Sequence, residues 1–120
     1  MNLYKDELTY HYKHPSNYGN LENPDFSIHG DNPLCGDSIH IEGNIEDGIL
    51  KEIKFTGKGC ILSLATASML TEYVKGKEVE EIKKMKKGDI LKLIKIELGP
   101  NRLRCALLPL ETLQKGLNAK

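Results

Sequence analysis

With 120 residues, three cysteines and equal numbers of basic and acidic side chains (17 each), the sequence is sized for one domain, expected to span 1–120 and to bury a core without disulfide help. No apolar run reaches membrane-spanning length, and Met1-Asn2-Leu3-Tyr4-Lys5-Asp6-Glu7 lacks the basic and then apolar pattern of a signal peptide, so a cytoplasmic address and no membrane partner are expected. Charge is nonetheless divided, with 2 basic and 9 acidic residues over 1–50 against 15 and 8 over 51–120, which points to an electrostatically selected protein partner rather than nucleic acid.

In chain order, Tyr4 to about Lys13 reads as an amphipathic helix closed by His14-Pro15, because the residue before a proline is pushed out of the helical region. His11 and His14 share its last turn and read as surface or capping residues in preference to a metal pair. Ser16 to Asn20 is turn material, and Phe26 and Ile28 open a short strand. Apolar residues then alternate at Ile39, Ile41 and Ile45, turn at Asp47-Gly48, and resume at Ile49, Ile53 and Phe55, the pattern of a β-hairpin with one buried face. His40 falls on the polar face of that hairpin. From Ile61 to Val74 the period becomes helical, with Leu62, Ala65, Met69 and Tyr73 on one stripe and Gly76 as the stop. Ser63, Thr66, Ser68 and Thr71 read as small packing residues, since no acid or base is spaced along the helix to activate them.

A further helix is expected over Glu78–Met85, followed by a basic cluster of Lys83, Lys84, Lys86 and Lys87 that reads as a solvated face. Asp89 is placed to cap one more helical turn through Ile94. Gly99-Pro100-Asn101 is a breaker, after which Leu103, Leu107, Leu110 and Leu117 mark a terminal helix. Pro109 would remove the hydrogen bond to Cys105, so the regular helix is expected to begin near Cys105 or to kink just after it, leaving that thiol at a helix N-terminus.

The chemistry lies with the cysteines. The proline and glycine of Asn32-Pro33-Leu34-Cys35-Gly36-Asp37 forbid a helix, and residues two apart on an extended chain point the same way, so Cys35 and Asp37 are expected to be able to face one point. Cys60 and Cys105 are expected at helix beginnings, where backbone N–H groups favour the thiolate, with Lys58 and Arg104 adding positive charge. Three thiolates and one carboxylate make a four-ligand site selecting zinc or an iron-sulfur cluster over magnesium or calcium, with Asp37 as the harder, weaker ligand. The odd cysteine count without a C-x-x-C pair fits a reducing compartment.

His14-Pro15-Ser16-Asn17-Tyr18-Gly19, Cys35-Gly36-Asp37, Gly57-Lys58-Gly59-Cys60, Val74-Lys75-Gly76-Lys77 and Arg104-Cys105-Ala106 together resemble the IscU, SufU and NifU N-terminal iron-sulfur scaffold family. The resemblance implies an α+β fold, a small three-stranded antiparallel sheet with helices packed on one face and the site at one end. It implies that Cys35, Cys60 and Cys105 are cluster ligands and persulfide acceptors, with Asp37 keeping the cluster labile. A transient [2Fe-2S] cluster, or Zn2+ in a SufU-like form, is the implied cofactor. The implied partners are a cysteine desulfurase of the IscS or SufS kind, apo iron-sulfur proteins as acceptors, and frataxin-like or ferredoxin auxiliaries. The chain departs from the IscU branch in carrying Arg104 where that branch has histidine, and Glu97-Leu98-Gly99-Pro100-Asn101 in place of a Leu-Pro-Pro-Val-Lys motif, which argues against Hsp70 docking. It departs from the SufU branch in its short Cys60 to Cys105 interval of 45 positions. Three readings stay open: a cluster scaffold, a zinc-dependent sulfurtransferase, and a structural zinc domain.

Overall fold

Eight elements follow one another in the computed structural model, which describes residues 3–33 and 36–119. They are α1 (Leu3–Lys13), β1 (Phe26–Asn32), β2 (Asp37–Glu46), β3 (Ile49–Lys58), α2 (Ile61–Val74), α3 (Val79–Lys83), α4 (Lys87–Ile94) and α5 (Pro100–Asn118). The strands form one antiparallel sheet in the order β1-β2-β3. At the β2–β3 turn, Asp47 and Gly48 both have positive φ (53° and 76°), the pair of left-handed conformations that a tight two-residue hairpin turn requires.

The inward face of the sheet carries Ile39 and Ile41 from β2 and Leu50, Ile53 and Phe55 from β3, all fully buried. The expected alternation placed Ile49 in that series. The strand instead buries Leu50 and leaves Ile49 half-exposed, because the pairing slips between Asn44 and Ile45: Asn44 faces Glu52 while Ile45 faces Leu50. One extra residue on β3 is accommodated there, which is how a bulge changes the phase of a buried face.

The helices pack against this face, with α5 crossing β1 and β2, α2 lying against α5 and β3, and α1 resting on α2. The helix α2 is buried around most of its circumference, Ala65, Ala67, Leu70 and Val74 together with Ser63, Thr66, Ser68 and Thr71. The expected stripe is wrong at one position: Tyr73 is exposed. A helix enclosed between two helices and a sheet needs small residues on its buried sides. The Ser63, Ser68 and Thr71 hydroxyls are hydrogen-bonded within the protein, whereas Thr66 Oγ1 is buried without a hydrogen-bond partner among the described residues. His11, the partner of Ser68, is buried rather than on the surface, with Nδ1 2.7 Å from Ser68 Oγ. The Ser16 N–H donates to the same hydroxyl at 2.7 Å, so the His-Pro-Ser turn is pinned to α2.

The short α3 covers less than the expected Glu78–Met85, while α4 starts two residues before Asp89, whose carboxylate accepts from Lys86 N at 2.8 Å. The largest departure is α5. It starts at Pro100, with Gly99 as N-cap, and runs continuously through Pro109. Proline is suited to the first helical position, and that start prevails over the internal proline. Cys105 is therefore the sixth residue of the helix, not at its beginning.

Candidate metal centre

Three of the four expected ligands meet at one corner. Asp37 opens β2, Cys60 is the N-cap of α2, and Cys105 projects from the side of α5. One donor atom from each, a carboxylate oxygen and two sulfurs, all lie within 4.8 Å of one another. Ligands about 2.0–2.3 Å from a shared tetrahedral zinc stand roughly 3.5–4 Å apart, so a small inward adjustment closes this set around an ion. Cys35 lies outside the described residues, and its place in the ligand set is carried by the sequence. The ladder between β1 and β2 ends on Asn32 paired with Asp37, and Asn32 Nδ2 is 3.9 Å from Cys105 Sγ, so this end of the hairpin reaches the same corner.

Local sequence explains each position. Gly57-Lys58-Gly59 turns the chain out of β3, and Gly59 has φ +144°, a conformation glycine adopts freely. A Cβ on Gly59 would stand 2.2 Å from Asp37 Oδ1, so the chain passes directly against the carboxylate. The next residue, Cys60, donates its N–H to Asp37 Oδ1 at 2.9 Å. Its sulfur accepts from Ser63 N at 3.4 Å, the contact of an N-cap side chain, and N–H groups directed at sulfur favour the charge a metal-bound thiolate carries.

Ser63 ties the three ligands together. Its hydroxyl donates to Asp37 Oδ2 at 2.7 Å and lies 3.7 Å from Cys60 Sγ and 3.3 Å from the Cys105 carbonyl oxygen. Pro109, four residues on from Cys105, has no N–H to give that carbonyl. The internal proline thus turns a helical acceptor toward the site. Ser63 was read as packing from the sequence, and the nearest signal was its spacing, three residues after an N-cap side chain. The Asp37 partnership, 26 residues away in the chain, leaves no mark on local periodicity.

Asp37 is 2% exposed. Burial pushes its pKa up, but the Ser63 hydroxyl, the Cys60 N–H and the Cys105 and Cys60 thiols together outweigh it and hold the carboxyl below its ordinary value. The two described thiols differ: Cys60 is exposed and Cys105 is 5% exposed. Lys58 and Arg104 are exposed, as are Lys84, Lys86 and Lys87, whereas Lys83 pairs with Glu80 at 3.3 Å. No helix among the described residues is long and apolar enough to cross a membrane.

A three-stranded antiparallel sheet with helices on one face and a thiol-carboxylate corner at its end defines an α+β domain whose corner could hold a metal ion. The chain belongs to the NifU-like N terminal domain family, whose model matches residues 3–119. It is 35% identical to the zinc-dependent sulfurtransferase SufU of Bacillus subtilis, over 96% of this chain and 89% of that protein. That alignment runs to 132 positions, more than this chain contains, so the relative carries residues that are absent here. The iron-sulfur cluster assembly scaffold protein IscU of Escherichia coli is 30% identical over 95% of this chain and 91% of its own length. Among solved structures, FiSufU from Fervidobacterium islandicum AW-1 superposes with a TM-score of 0.83 at 23% identity, covering 93% of this chain and 94% of that one.

Proposed function

We propose that this protein assembles a [2Fe-2S] cluster from iron and persulfide sulfur and passes it to apo-proteins, the cluster being its cargo. The observation that carries the reading is the meeting of Asp37, Cys60 and Cys105 within 4.8 Å, in a chain whose relatives include named cluster scaffolds. Two soft sulfurs and one hard oxygen suit iron held for release: the thiolates hold, and the carboxylate is the exchangeable contact. Cys35 completes the proposed set.

Sulfur delivery follows from exposure. The Cys60 thiolate attacks the terminal sulfur of a desulfurase persulfide; the new S–S bond forms on Cys60, the old one breaks, and the desulfurase cysteine leaves as thiolate. Cys105 is too enclosed for that attack and acts as holder. Proposed partners are thus a cysteine desulfurase, apo iron-sulfur acceptors, and frataxin-like or ferredoxin auxiliaries, in the cytoplasm. With Glu97-Leu98-Gly99-Pro100-Asn101 ahead of α5, a dedicated Hsp70 is not among them.

A second reading has zinc on the same ligands and Cys60 as the acceptor of a sulfurtransferase. The 35% identity to a protein named for that activity favours it. Anaerobic incubation with ferrous iron, cysteine and a desulfurase separates the two. A scaffold develops visible absorption and transfers it to apo-ferredoxin, and Asp37→Ala retains the cluster longer and transfers it more slowly. A zinc relay shows no cluster colour, raises desulfurase turnover, and loses zinc and stimulation together in Asp37→Ala. A wild-type protein that does neither contradicts both readings.

A further inference from the structure

The outer face of the sheet carries two neighbouring histidines, each beside a carboxylate and distinct from the thiol corner. His29 on β1 and His40 on β2 are register partners, with ring centroids 6.4 Å apart and ring planes at 39°. Each ring is held through the same atom by a carboxylate two residues along its own strand. His29 Nε2 donates to Asp31 Oδ1 at 2.9 Å, and His40 Nε2 to Glu42 Oε2 at 3.2 Å, with Ser27 Oγ 2.9 Å from the same nitrogen.

Placing the proton on Nε2 in both rings leaves Nδ1 as the nitrogen with a lone pair. A histidine that ligates a metal usually donates its other ring N–H to a carboxylate, which fixes the tautomer and strengthens the donor. Here that supporting contact is present twice on adjacent strands. Two imidazoles sharing one tetrahedral ion at about 2.0–2.1 Å place their centroids roughly 5–5.5 Å apart, so the two rings, 6.4 Å apart, have to close by about 1 Å to share an ion. The side chains of His29 and Asp31 are more than half exposed and that of His40 is one-third exposed, so the rings have room to turn and water can complete the coordination.

We infer that His29 and His40 form a second metal site, a cross-strand bis-imidazole chelate for a borderline divalent ion such as zinc. The pair lies three residues along the ladder from Asn32 and Asp37, about 10 Å at the rise of a strand, and on the opposite face from the buried Asp37. An ion there bridges β1 to β2 and ties together the two strands that lead into and out of residues 33–36. Zinc bound at this site stabilises the hairpin from which Asp37 reaches the thiol corner.

Zinc titration of the metal-free, reduced chain tests the site, followed by calorimetry and by imidazole nitrogen NMR. The wild type is expected to take a tight first equivalent without histidine shifts and a weaker second that moves the Nδ1 resonances of His29 and His40 together. His29→Ala and His40→Ala each remove the second equivalent and leave the first unchanged. Asp31→Asn weakens the second by about tenfold, the usual effect of losing a carboxylate behind a metal-bound histidine. A wild type that saturates at one equivalent overturns the inference. So does a second equivalent that survives both histidine substitutions. Because these side chains sit on the exposed face, unchanged circular dichroism of the variants separates lost binding from lost fold.

Discussion

Two helices deliver thiols to the same corner by different routes. The helix α2 delivers Cys60 from its end, where the thiol caps the first turn and stays exposed. The helix α5 delivers Cys105 from its side, enclosed, with Pro109 denying an N–H to the neighbouring carbonyl and Ser63 standing close to it. A helix end leaves its thiol open to solvent and to a reacting partner; a helix side encloses its thiol. The site combines the two around one buried carboxylate.

The strongest way to break this comparison is to delete each thiol in turn. Cys60→Ala and Cys105→Ala are each expected to weaken zinc binding by at least about 100-fold, since one of four ligands carries roughly a quarter of the ~10–16 kcal/mol typical of a closed zinc site. Cys105→Ala lowers the stability of the metal-free protein by about 1 kcal/mol because that side chain fills enclosed space, whereas Cys60→Ser, which keeps an acceptor for Ser63 N at the cap, leaves it nearly unchanged. Chelator competition and denaturant unfolding measure the two effects, and equal losses of metal-free stability would remove the distinction. Gly59→Ala comes next. The added methyl meets Asp37 Oδ1 and a left-handed backbone, so a loss of about 1–3 kcal/mol accompanies weaker metal binding.

Ser63→Ala sharpens the comparison by removing the hydroxyl between the two helices. Leaving Asp37 without its closest donor costs about 1–3 kcal/mol, and metal dissociates roughly tenfold faster, the scale of effect when a supporting partner is lost. Ser63→Thr, which keeps the hydroxyl, should recover most of both. The smallest effect is in pH. Because the Asp37 pKa is lowered on folding, its contribution is fully present above the ordinary carboxylate value of about 3.9 and is lost as pH falls through the lower, folded one. Metal-free unfolding curves below pH 4 should show a shallower loss of stability in Asp37→Asn than in the wild type.

What could be read from the sequence was whatever depends on near neighbours. The Asp47-Gly48 turn, the limits of α2 and the cap position of Cys60 follow from dihedral demands and periodicity within a few residues. The missed features all depend on distant partners. His11 meets Ser68 across 57 positions, and Ser63 meets Asp37 across 26. Pro109 was correctly read as costing Cys105 a hydrogen bond, but the helix was expected to yield. It does not, because its Gly99-Pro100 start is strong, and Leu110, Leu113 and Leu117 beyond the proline are buried in the core. The slip at Asn44 was likewise hidden, since a bulge is a property of two strands together.

The central claim is that thiols and Asp37 converge on one ion. X-ray absorption at the zinc edge of protein loaded with one equivalent tests it most directly. Three sulfurs near 2.3 Å and one oxygen near 2.0–2.2 Å are expected, with the oxygen lost in Asp37→Ala. A first shell of nitrogen and oxygen alone would contradict it, placing the tightest ion away from the cysteines.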